Sequence, residues 1–264
     1  MTTPPLLARL LPALLALPLL LTAGCTSTLR SPYTVPDEVL VELEVFDHAE
    51  YAAVLAEHVD DQGRVDYPAL VAAPDRLERY IALLEAVGPY LRPDLFPTRE
   101  DELAYYINAY NALTLYNVVQ RYPIDSVDED KVDFFFWTRF ELDGEDNSLY
   151  GLENFIRDRY QEPRIHFALN CASAGCPRLP AVPFRGETLE AQLTEETARF
   201  LSEPRNVEFV DGELVLSEIF DWYDDDFPPD VRSWLAAQPG MPPVPPDIEL
   251  QYRPYDWSLN DQTR

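Results

Sequence analysis

Three stretches with apolar residues at three- and four-residue spacing, about 46–60, about 75–88 and about 99–121, commit the first half of the chain to helix. Gly88-Pro89 and Tyr122-Pro123 supply the stops, since proline cannot continue a helix and glycine weakens one. The period then changes. "TRFELDGEDNSLYGLENFIRDRY" opens as a short strand, turns at Asp143-Gly144 and resumes as a helix from about Leu149. "RIHFALN", Arg164 to Asn170, is predicted as a central strand covered on both faces, because its apolar run lacks alternation. "ETLEAQLTEETARFLSE" is an amphipathic helix, and "NVEFVDGELVLSEIF" a hairpin turning at Asp211-Gly212. The expected class is α+β: a helical N-terminal half packed on a small, mainly antiparallel sheet, in a single domain.

The start of the chain sets the compartment. "MTTPPLLARLLPALLALPLLLTAGC" carries Arg9 as its only charge, then a Leu/Ala/Pro run too short and proline-rich for a membrane-spanning helix. Leu21 to Cys25 resembles a bacterial lipobox, which implies cleavage before Cys25 and lipidation of that residue. An ordinary secretory signal ending at a cysteine is the alternative. The division is then 1–24 signal peptide, 25–44 polar tether and 45–264 folded domain, in a lipoprotein of the bacterial cell envelope. Thr26, with no acid after the cysteine, points to the outer membrane, facing the periplasm. Removing residues 1–24 takes one positive charge and no acid, so the formal net charge goes from −27 to −28. Such a surface repels nucleic acid and anionic headgroups, so attachment rests on the lipid. Lys131 is the only lysine. "QPGMPPVPPDIEL", residues 238–250, reads as an extended surface crossing.

The chemistry concentrates in "RIHFALNCASAGCPRLP", Arg164 to Pro180. With Cys25 lipidated, Cys171 and Cys176 are an even pair in an oxidising compartment, and a disulfide shaping the loop is one reading. The other is a reactive thiol at Cys171, exposed where rigid structure meets a small-residue loop. A thiol nucleophile needs a base, and the histidines are His48, His58 and His166. His166 lies five residues before Cys171, an odd separation that places the two on opposite faces of a regular strand unless the chain bends near Asn170. It is otherwise a buried histidine bonded to a backbone carbonyl. His48 and His58, in the first helix, read as surface residues.

Glu153 lies four residues after Leu149 and three before Ile156, at the edge of an apolar stripe. It either orients a histidine or serves as an acid or base with a raised pKa, or it pairs with Arg157 or a nearby backbone amide. Asn108 and Asn111 share a helical face among apolar neighbours, as ties to a neighbouring loop or as oxyanion donors. Trp257 and Asn260, in "YDWSLN", anchor the chain end or wall a cleft. Zinc on His166, Cys171, Cys176 and a carboxylate is disfavoured by the cysteine spacing, and no metal or cofactor is expected. No Gly-rich phosphate loop, Gly-x-Ser-x-Gly or His-Glu-x-x-His occurs. "DWYDDDF", Asp221 to Phe227, lacks the glycine and terminal glutamate of an EF-hand and reads as a solvated turn.

"VDYPAL", "YYINAYNALTL", "RIHFALNCASAGCPRLP", "LSEIFDWYDDDF" and "YDWSLN", in this order, resemble the bacterial branch of the family known as domain of unknown function 547, over about residues 45–260. The resemblance implies no settled activity. The family's plant members keep the first cysteine and carry serine at the second, which implies a role for Cys171 beyond a bridge. The family often has Glu-His where this chain has Glu153-Asn154. Two functions are expected in competition. One is a thiol-dependent hydrolase or transferase on amide or ester bonds, with Cys171 as nucleophile, His166 as base, Glu153 as orienting acid and Asn108 or Asn111 at the oxyanion. The other is a non-catalytic binding or scaffold module, for a peptide or cell-wall ligand, whose Cys171–Cys176 bridge shapes a recognition loop. A dithiol redox protein is disfavoured for want of Cys-x-x-Cys.

Overall fold

A computed structural model describes residues 28–264; the leader, residues 1–24, and Cys25 lie outside the described residues. The organising element is α5, Arg99–Val119. It begins in a reciprocal cap: the Thr98 side chain accepts from the Asp101 N–H, and the Asp101 carboxylate accepts from the Thr98 N–H. Every residue from Leu103 to Val119 is buried, the pattern of a helix enclosed on all sides. Of the other helices, α3 (Tyr67–Ala72), α4 (Asp75–Ala86) and α6 (Leu149–Tyr160) pack on it, α2 (Ala49–His58) packs on α4, and together they build the larger core, with Leu40 of the short α1 (Asp37–Glu42) at its edge.

The architecture is α+β, with the helices mostly in the N-terminal half. The strands divide into two three-stranded mixed sheets instead of a single mainly antiparallel one. In the first, β2 (Arg139–Leu142) pairs antiparallel with β3 (Glu145–Asn147) and parallel with β1 (Thr28–Leu29). In the second, β4 (Val207–Val210) pairs antiparallel with β5 (Glu213–Ser217), and β5 parallel with β6 (Leu250–Arg253). Both hairpins turn where expected. Asp143 and Gly144 sit at φ 53° and 77°, and Asp211 and Gly212 at 52° and 91°, the positive pair that a two-residue hairpin requires. Residues 28–44, expected as part of a tether, instead supply β1 and α1, and the Tyr116 hydroxyl donates to the Arg30 carbonyl.

The second half adds α7 (Leu189–Ser202), α8 (Ile219–Trp222) and α9 (Val231–Ala236), which close a smaller aromatic core around Phe167, Phe200, Phe220 and Phe227. No helix among the described residues is long and apolar enough to cross a membrane.

The strand expected at Ile165 to Leu169 is a 3₁₀ helix, Pro163–Phe167. Its burial is as expected, Ile165, Phe167 and Ala168 being enclosed, but the conformation is not. Pro163 presets φ at the first helical position, and the Glu162 side chain accepts from the Arg164 N–H. Ala168 and Leu169 then donate back to the Ile165 carbonyl, so the segment satisfies its polar groups locally.

His48 and His58, expected on the surface, are buried at 7% and 5% exposure. His48 sits at the N-cap of α2, and its Nδ1 lies 2.7 Å from the Tyr80 hydroxyl. Burial, with the Arg185 charge adding, lowers its pKa to about 4 from an ordinary value of about 6.5. Between those values the unfolded chain binds the proton and the folded one does not. Stability from His48 is therefore complete above about pH 6.5 and declines as pH falls toward 4, by on the order of 3 kcal/mol. Urea unfolding of the wild type and His48→Gln between pH 7 and pH 4 should show their difference shrinking as the medium acidifies; a constant difference contradicts the assignment.

Candidate functional site

Two asparagines on α5 fix the segment that carries the chemistry. Asn111 Nδ2 donates to the Ala168 carbonyl (2.9 Å), and its Oδ1 accepts from the Asn170 N–H (2.8 Å). Asn108 does the same one turn earlier, donating to the Phe184 carbonyl (2.8 Å) and accepting from the Phe184 N–H (2.9 Å). Each amide thus acts as a backbone partner for chain that has no sheet to join. Asn170 extends the arrangement: its Oδ1 accepts from the Ala172 N–H and its Nδ2 donates to the Pro177 carbonyl. Ala172 takes φ 64°, the left-handed region that a residue with a Cβ seldom adopts, and this turns the chain sharply after Cys171.

Inside this loop Cys171 and Cys176 are bonded to each other, their Cα atoms 6.1 Å apart. The C-terminal segment straps the loop from outside. Ala174 donates to the Ser258 carbonyl, Gly175 to the Asp256 carbonyl, and Asn260 to the Ala172 carbonyl. Gly175 is required here, because a Cβ would lie 2.9 Å from the Asp256 carbonyl oxygen.

The bridge forms part of the wall of a cavity of about 280 Å³ between the two cores. Its other walls are aromatic: Tyr110 from α5, Phe136 and Tyr150 at the rim, Trp222 and Tyr223 from the α8 region, and Tyr255 with Trp257 from the strap. Trp222 and Trp257 stack with ring centres 5.6 Å apart, and the Lys131 ammonium lies 3.4 Å above the Trp257 ring. Phe136, Tyr150 and Trp222 are also exposed, so the apolar lining continues onto the surface.

Besides Lys131 and the tyrosines, two ionisable groups enter this lining, Glu153 and His166. Glu153, on α6, accepts from the Tyr223 hydroxyl at 2.5 Å. Burial, then the charge on Glu153, raises the Tyr223 pKa, so the phenol stays a donor. His166 stacks on the Tyr223 ring at 4.2 Å, and its Nε2 lies 2.8 Å from Asp226 Oδ2. Because an ionised carboxylate only accepts, Nε2 is the donor in this contact. The same Asp226 oxygen accepts from Arg157 Nε at 2.6 Å. The His166 hydrogen bond, with Arg157 adding, holds the Asp226 carboxyl well below the usual carboxylate range.

Glu153, His166 and Cys171 therefore line one cavity, although they come from a helix, a 3₁₀ turn and a loop. The parity of a strand does not apply to His166 and Cys171, since there is no strand. Asn108 and Asn111 do not line the cavity and serve as ties. His166 is bonded to a carboxylate, not to a backbone carbonyl, and Glu153 to a tyrosine, not to Arg157. Asp226 corrects the reading of residues 221–227 as a solvated turn. Its two partners lie 60 and 69 positions away, and a run of acids gives no local sign of such pairing. Tyr223, Tyr255 and Trp222 were not anticipated, and their only sequence signal is the density of aromatics around "FDWYDDDF" and "YDW". Trp257 walls the cleft, whereas Asn260 is an anchor, accepting from the Tyr67 hydroxyl at 2.8 Å.

No curated protein and no solved structure matches the chain. Residues 95–201, which hold α5, Glu153, His166 and both cysteines but not Asp226 or the strap, match the model of a family described as protein of unknown function, DUF547.

Proposed function

We propose that this is a lipid-anchored protein of the bacterial cell envelope, held through Cys25 and facing the periplasm, whose aromatic cleft binds a peptide or cell-wall ligand. The observation that carries the binding reading is the cavity itself: aromatic side chains from five separate parts of the chain converge on it, and the Cys171–Cys176 bridge sets one wall. A concave apolar site with few convergent polar groups is the form that small ligands and short peptide segments select. The rings offer large rigid contact areas at small entropy cost, and Glu153 accepts a hydrogen bond or a positive charge from the occupant. The acidic surface draws cationic ligands toward the mouth.

A thiol-dependent hydrolase or transferase is the second reading, favoured by the shared cavity of Glu153, His166 and Cys171. It requires the Cys171 sulfur as a thiolate, and in the described structure that sulfur is bonded to Cys176. Binding therefore stands first.

Tryptophan fluorescence of the intact protein, titrated separately with soluble muropeptides and with short synthetic peptides, tests the reading. One of these classes should shift the signal of Trp222 and Trp257 saturably, and Trp222→Ala should weaken binding by roughly tenfold or more, the loss of one stacked aromatic contact. No saturable shift with either class up to millimolar concentration, or unaltered affinity in Trp222→Ala, contradicts it.

A further inference from the structure

The surroundings of the two sulfurs are unlike those of an inert clamp. Tyr255 Oη lies 3.2 Å from Cys171 Sγ and 3.1 Å from Cys176 Sγ, so one phenol faces both ends of the bond. Ser173 Oγ lies 3.0 Å from Cys171 Sγ and donates to Tyr255 Oη at 2.9 Å. The backbone N–H of Cys171 donates to Cys176 Sγ at 2.9 Å. A disulfide sulfur is a weak acceptor and gains little from such donors, whereas a thiolate gains much. Donors that interact weakly with the closed bond and strongly with the opened one favour opening.

Access is asymmetric. Cys171 is partly exposed to the cleft, while Cys176 is 5% exposed and its sulfur accepts from the Cys171 N–H. The loop does not depend on the bond for its shape. The Asn170 side chain, the strap of residues 256–260, and Arg205, which donates to the Ala174 and Cys176 carbonyls, hold it independently.

The geometry points to a second activity: the Cys171–Cys176 bridge exchanges with thiols of a dithiol-bearing peptide or protein segment that enters the cleft, with Cys171 as the attacked sulfur and Tyr255 as hydrogen-bond donor to the departing one. A substrate thiolate attacks Cys171 Sγ. A substrate–Cys171 disulfide forms as the Sγ–Sγ bond breaks, and the electron pair leaves on Cys176 Sγ, which accepts from the Cys171 N–H and the Tyr255 O–H. The substrate's second thiolate then attacks its own sulfur in the mixed disulfide and expels Cys171 thiolate. The substrate dithiol is oxidised to a disulfide, the bridge is reduced to two thiols, and the two substrate protons end on Cys171 and Cys176. Burial raises the Tyr255 pKa, which keeps its proton in place as a donor. The missing Cys-x-x-Cys spacing is one way to stabilise a thiolate, and the Tyr255, Ser173 and backbone donors are another. This activity does not rest on the binding reading, since glutathione can probe it with the cleft's own ligand absent.

The intact, folded protein is equilibrated in reduced and oxidised glutathione over a range of ratios, quenched with acid, alkylated and mapped by mass spectrometry for Cys171 and Cys176. The bridge should open and close reversibly within that range while circular dichroism stays native. Tyr255→Phe should shift the equilibrium toward the closed bridge by about tenfold, the value of one hydrogen bond to a charged group. In Cys176→Ser, oxidised glutathione should leave its adduct on Cys171. A bridge that resists excess reduced glutathione until the protein unfolds overturns the proposal in the wild type alone, whatever the variants do; so does a Tyr255→Phe protein that folds normally with an unshifted equilibrium.

Discussion

The amide of Asn111 decides where the chemistry lies. One buried side chain accepts from the Asn170 N–H and donates to the Ala168 carbonyl, closing around a stretch of chain that belongs to no sheet. Irregular backbone in a core leaves polar groups unpaired unless something supplies partners, at a cost of roughly 1–3 kcal/mol for each group left bare. Asn108 repeats the arrangement at Phe184. Together they hold residues 163–184 against the enclosed face of α5. The His166 ring, the cysteine loop and the cavity wall then follow from where Asn170 turns the chain.

On this support the polar groups of the cleft form a sequence of dependent contacts. Asp226 accepts from both His166 and Arg157, and Tyr223 lies flat on His166 while donating to Glu153. Tyr223 therefore joins a carboxylate and an imidazole that do not touch each other. On the opposite wall Tyr255 joins Ser173 to the two bridge sulfurs. The cleft is apolar by area, yet each of these polar groups has a fixed partner, as a low-dielectric lining demands.

Much of this was legible in residues 46–160 and in the hairpin of residues 207–217. The Asp-Gly pairs fixed both hairpin turns because only residues tolerant of positive φ fit them, and the spacing of Glu153 from Leu149 and Ile156 placed it on a stripe edge. The Ile165 to Leu169 segment was not legible. A run buried on every side carries no periodicity, and its apolar composition suits a covered strand as well as a covered turn. β1 and β6 were missed for another reason: each joins its sheet as a parallel partner far from its neighbour in sequence, with no hairpin to announce it. Asp226 and Tyr255 belong to the same class. Their roles exist only once residues 60 to 84 positions apart are brought together.

The central claim is that α5, through Asn108 and Asn111, makes the irregular segment as rigid as the core. Native-state hydrogen exchange at the amides of Asn170 and Phe184 measures this directly, since both N–H groups donate to those side chains. The account predicts that the two amides exchange only when the whole protein unfolds, with the denaturant dependence of amides in the middle of α5. Exchange through a local opening of low free energy, insensitive to denaturant, would show the segment moving independently of α5 and would contradict it.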